Sequence, residues 1–293
     1  MKLSGLTVRS RRPGACYGAA FAPDGASVVC IGRNVVLWDA TRRRRLASAH
    51  PLSHPSDVAF SPSGHELVVK NTSGECVVLD GTDLGILLRL GGTQFGEGSP
   101  LAFAYDSAMI DGSWNGDLLA RDITSGRTLL HERERRMVSL VAASPDRRLF
   151  AYSELSRGTD SLAAVIRIRR WPFSDHEPVT LCETTGLVVD ALALNGDLLA
   201  SVIDHQLQIR SSATGKVAAS CEVPISGTGW GVAWWPDTDR LVVAGGRRFV
   251  MFNSALDELW ALDAQYPCDV AISRDGSRAL LAAWDGALMV EPR

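Results

Sequence analysis

No apolar run in the 293-residue sequence approaches the ~18 residues that a membrane-spanning helix needs, so no membrane partner is expected. None of the six cysteines (Cys16, Cys30, Cys76, Cys182, Cys221, Cys268) belongs to a C-x-x-C pair, which argues against a zinc knuckle or a thioredoxin-type site. Most lie in apolar strand patterns, where a free thiol acts as a small hydrophobe, so the expectation is a reduced, cytoplasmic protein. Histidine is scarce, and the one close pair, His50 and His54, is flanked by Pro51 and Pro55. Those prolines forbid the helix that could aim both rings at a metal, so the pair reads as a stiffened loop. A G-x-S-x-G elbow is missing as well. Of two glycine-rich stretches, Gly91–Gly98 carries Glu97 where a phosphate loop needs lysine. The other, Gly227–Gly231, leads into a strand pattern with no helix behind it. Asp237 and Asp239 share a turn, where aspartate caps its own backbone. These absences predict no catalysis, no metal and no cofactor.

What the chain has is self-similarity. Asp57-Val-Ala-Phe-Ser-Pro-Ser-Gly64 has six relatives at intervals of about 38 to 49 residues, beginning at Gly18, Leu101, Val141, Val189, Val232 and Asp269. Each opens a set of short period-two apolar runs separated by turn residues, the pattern of strands. Six repeats hold four such runs and the last holds three. A surplus run, Lys2–Arg9, precedes the first repeat. An open sheet edge invites aggregation, so the surplus strand is expected to complete the last repeat and close a ring. The expected fold is all-β: one domain over residues 1–293, a seven-bladed β-propeller of four-stranded antiparallel blades, with residues 2–10 finishing blade seven. Arg9, Arg11 and Arg12 before Gly14–Ala22 have a faint look of a twin-arginine signal. The apolar stretch is short and runs straight into the first repeat, so it is assigned to the fold.

The units resemble WD40 repeats, over essentially the whole chain. The Ser-Pro-Asp-Gly-like turn after the inner strand is well kept. The family's Trp-Asp pair is kept at Trp38-Asp39, and becomes Leu79-Asp80, Arg121-Asp122, Arg210-Ser211 and Phe252-Asn253 elsewhere. A recurring alanine (Ala20, Ala59, Ala102, Ala142, Ala191, Ala233, Ala271) suits inner strands that converge on a central channel. Trp38, Trp234 and Trp235 are assigned to the core.

With this strand order, blade-to-blade crossings and middle hairpin turns share one face, and the first and third turns share the other. The first face collects most of the long loops together with Tyr17, Phe95, Trp114, Trp230, Tyr266 and Trp284. It also collects Arg11, Arg12, Arg135, Arg136, Arg157, Arg247 and Arg248. Aromatic residues and arginine are enriched at interface anchors, so this face is the expected binding site for another protein. The competing local readings are that Trp114 and Trp284 plug gaps between blades and that the arginines are solvated turns. The opposite face carries Arg42–Arg45, read as a solvated turn.

The function implied is a non-catalytic scaffold, monomeric by itself. A net charge of −3 and a pI near 6.1 argue against nucleic acid as the main partner. Two alternatives belong to other classes. One is a propeller hydrolase or lyase with a site at the channel mouth. The other is a module that binds an anionic ligand or nucleic acid.

Overall fold

The structure, a computed structural model, describes residues 5–12, 14–91, 100–134, 136–156, 163–185, 187–223 and 231–293. Seven four-stranded antiparallel sheets form a ring, as the repeat pattern implies. The innermost strands are Gly18–Phe21, Pro55–Phe60, Ala102–Phe103, Met137–Ala143, Val189–Asn195, Gly231–Trp234 and Pro267–Ile272. The second strand of each blade is almost continuously buried, for example Val28, Val29 and Ile31 in blade one. The outermost strands alternate, as Arg45–Ala49 does, because one face meets water.

Strand Leu6–Arg12 pairs antiparallel with Gly286–Pro292 and completes blade seven. It runs further than the sequence predicts. A bulge between Val8 and Ser10 takes up one residue, and the ladder then continues through Arg11↔Leu288 and Arg12↔Ala287. Arg11 and Arg12 therefore lie in a strand and not in the expected crossing loop. The seam is reinforced by Glu291, which receives Arg9 at 2.7 Å and Arg43 of blade one at 3.7 Å.

Small side chains let the inner strands converge. Ala20, Ala59, Ala102, Ala142 and Ala233 line the channel. In blades five and seven Leu192, Ala193 and Ile272 line it instead, and the expected Ala191 and Ala271 pack into the core between blades. A Cβ on Gly231 would stand 2.8 Å from Asp269 Cα, so only glycine permits that approach of blades six and seven.

Indole N–H groups tie neighbouring blades together. Trp234 Nε1 donates to Ala193 O (3.1 Å), Trp235 Nε1 to Gly276 O (2.9 Å) and Trp171 Nε1 to Asp106 Oδ2 (2.9 Å). Trp234 and Trp235 are buried, as their sequence context predicts. The aspartate of the Trp-Asp position also has a local task. Asp39 accepts the N–H of Thr41 and Arg42, and Asp80 and Asp122 do the same in blades two and three. These bonds, preceded at Asp80 by the larger effect of the Thr82 hydroxyl, hold all three carboxyls below the usual carboxylate range.

Candidate interaction surface and central channel

The crossing from Arg12 to Gly18, the crossing from Asp263 to Pro267 and the turn from Ala283 to Gly286 meet where blade seven adjoins blade one. Tyr17, Tyr266 and Trp284 stand on these three segments and cluster. The Tyr17 and Trp284 rings lie 5.9 Å apart edge to face, and Tyr266 and Trp284 lie 5.3 Å apart at 46°. Their exposures are 40%, 52% and 58%, so the cluster faces water. Trp284 thus projects outward and does not plug the gap between blades. Its backbone N–H donates to Gln265 O (3.2 Å) and Tyr266 O (3.3 Å), which sets the turn against the crossing.

Beside this cluster lies a hollow of about 610 Å³. It is lined by Tyr17, Arg33, His50, His54, Pro55 and Thr72 among others. His50 Nδ1 is 3.0 Å from Arg33 O, and His54 has φ of 51°. The two histidines, read from the sequence as a stiffened loop, form the wall of this hollow.

The other sequence-predicted residues spread out. Arg11 pairs with Asp285 in the turn beside Trp284. Arg12 is 8% exposed, with its guanidinium 3.5 Å from the Trp38 ring centroid, so it faces inward and not toward a partner. Burial holds its pKa below the usual arginine value. Arg136 pairs with Glu183 at 3.3 Å, and Trp114 is half-buried. Arg248 pairs with Glu258 (3.3 Å) and Asp263 (3.5 Å), whereas Arg247 is exposed and, among the described residues, makes no ion pair. Phe95, Arg135, Arg157 and Trp230 lie outside the described residues. On the opposite face, the Arg42–Arg45 turn is exposed, with Arg42 3.8 Å and Arg44 4.0 Å from Asp39.

The axis of the ring is a channel of about 980 Å³ lined by the inner strands and the first turn of each blade. Two aspartates on inner strands hold the next blade. Asp57 accepts the Leu101 N–H, and Asp269 accepts the Ala19 N–H at 2.9 Å. Burial pushes the Asp57 carboxyl up to about 7, with the Asp269 charge adding to the rise, while the bond from Leu101 opposes it. Asp269 shifts the same way for the same first reason. Further out, the fully buried Lys70 Nζ spans blades two and three to Asp111 and, at 3.0 Å, to Gly112 O. These acids are structural ties. Among the described residues, no three His, Cys, Asp or Glu side chains converge as a metal ion would require.

Sequence reasoning put Tyr17, Tyr266 and Trp284 on one face without foreseeing their contact, and it missed the hollow and the buried aspartates of the inner strands. Both depend on which blades end up adjacent or opposed.

No family model matches the sequence, and no curated protein matches it. Its architecture is nevertheless common, since 1599 solved chains match. The chain is similar to U3-55K, a WD40 β-propeller protein, with a TM-score of 0.79 at 13% identity over 98% of each chain. At that identity the likeness is one of fold: a WD40-like propeller. No helix of the structure is long and apolar enough to cross a membrane.

Proposed function

We propose that this propeller is a non-catalytic interaction platform that docks a partner protein on the face made by its crossings and middle turns. The observation that carries the reading is the exposed Tyr17–Trp284–Tyr266 cluster beside the 610 Å³ hollow. Aromatic rings present a large contact area with few rotatable bonds, so little entropy is lost on docking. The blades hold the three rings on separate segments, which limits the ordering cost further. Arg33 and Arg247 are exposed on the same face and unpaired among the described residues, so a segment with an apolar anchor and acidic flanks fits best. The fold shared with WD40 propellers supports a scaffold role.

The test is comparative capture. A partner retained by the wild-type protein should be lost with Trp284→Ala and Tyr266→Ala, each costing on the order of 2 kcal/mol in binding with little change in melting temperature. Charge reversal of Arg44 and Arg45, exposed on the opposite face, should leave capture intact. The reverse pattern would place docking on the wrong face.

A further inference from the structure

Two arginines break the repeat pattern at the opposite mouth of the channel. In blades one, two and seven the first turn closes on a glycine, with Gly25, Gly64 and Gly276 donating to the residue three before (2.8, 3.0 and 2.8 Å) at φ of 68°, 78° and 65°. Blade four makes the same bond, Arg147 N to Ser144 O at 2.8 Å, but places an arginine there at φ of 58°. A side chain is disfavoured in that left-handed conformation. The second position of the turn is proline in four blades: Pro23, Pro62, Pro145 and Pro236. In blade seven it is Arg274. Blade three departs as well, with Ser107 at φ of 69° in the glycine place and Tyr105 in the proline place, but only in blades four and seven is the departing residue a cation.

Blades four and seven stand on opposite sides of the ring, and both arginines line the channel. They are close enough that the Arg274 charge, after burial, lowers the Arg147 pKa. Among the described residues neither forms an ion pair, and Arg147 Nη1, shielded from bulk solvent, donates to no acceptor. Asp146 and Asp237 line the same mouth without pairing with either arginine. Asp146 Oδ1 is turned back to its own turn, bonded to Ser144 Oγ (2.6 Å) and Arg148 N (3.1 Å). Like charges converging from opposite walls, with open donors, are disfavoured unless an anion lies between them.

We infer that Arg147 and Arg274 form a binding site for a phosphate group at the mouth of the channel on the face opposite the aromatic cluster. Guanidinium forks match phosphate oxygens in geometry and charge. A channel of about 980 Å³ ringed by seven inner strands suits a small phosphorylated compound better than a folded partner. This site does not depend on the docking face above.

The test uses the full chain with sodium pyrophosphate and, separately, a phosphoserine tripeptide, against sodium chloride at matched ionic strength. Binding is followed by calorimetry and by the shift in melting temperature. The variants are Arg147→Gly and Arg274→Pro, which restore the residues found in the sister blades and so should melt no lower than wild type. Wild type should bind one of the two probes, and either variant should weaken that binding at least tenfold. The probe bound more tightly tells a free phosphate compound from a phosphorylated side chain. Absence of binding to both probes, or binding that survives in both variants, overturns the assignment.

Discussion

At the residue scale, charge in the inner strands works mainly as mortar. Asp57 joins blade two to blade three by accepting the Leu101 N–H, yet it does so in partly buried surroundings that push its carboxyl up to about 7. The unfolded value is about 3.9. Because the folded value is the higher one, the fold favours the protonated form. The contribution is complete below about pH 4 and is lost as pH rises through about 7. Asp190, pushed up to about 6 by burial, acts in the same direction. Asp57→Asn keeps an acceptor for Leu101 and removes the ionisation. The wild-type melting temperature should therefore fall by several degrees more than that of the variant between pH 5 and pH 8. Parallel curves would show that the Asp57 carboxylate is not penalised. Residue-scale facts of this kind were only partly legible in the sequence. Arg12 reads as a surface cation from its polar neighbours, and only the bulged strand shows it folded over Trp38. Arg147 and Arg274 look like ordinary turn residues until ring closure sets their blades face to face.

At the element scale, the decisive strand is Leu6–Arg12. Without it the edge of Gly286–Pro292 is unpaired, and the ion pairs of Arg9 with Glu291 and Arg11 with Asp285 across that edge are lost. Deleting residues 1–12 should lower the melting temperature by roughly 10 °C or more, or cause aggregation. A truncated protein that melts within about 2 °C of wild type would contradict the closure. Strand count, turn positions and even this closure could be read from the repeats, because period-two patterning and Asp-Gly or Ser-Gly turns are local signals. Register could not. The bulges at Val8/Ser10 and Val189/Ala191 shift the pairing by one residue, and period-two patterning does not mark where such a shift falls.

At the scale of the whole molecule, the ring sorts its loops into two faces with different chemistry. One carries an exposed aromatic cluster beside a hollow; the other carries tight turns and an arginine pair at the channel mouth. Strand order alone assigned Tyr17, Tyr266 and Trp284 to one face, which is why the cluster was legible. The hollow was not, since it needs His50 and His54 of one crossing to stand against Arg33 of a neighbouring turn. The most direct check of the platform reading is hydrogen exchange on the propeller, free and bound to the partner it captures. The account predicts that amides of Gly14–Gly18, Ala264–Pro267 and Ala283–Gly286 become protected on binding while those of Thr41–Arg45 stay unchanged. Protection confined to Thr41–Arg45 and the other turns of that face, with the aromatic segments exchanging as freely as before, would contradict it.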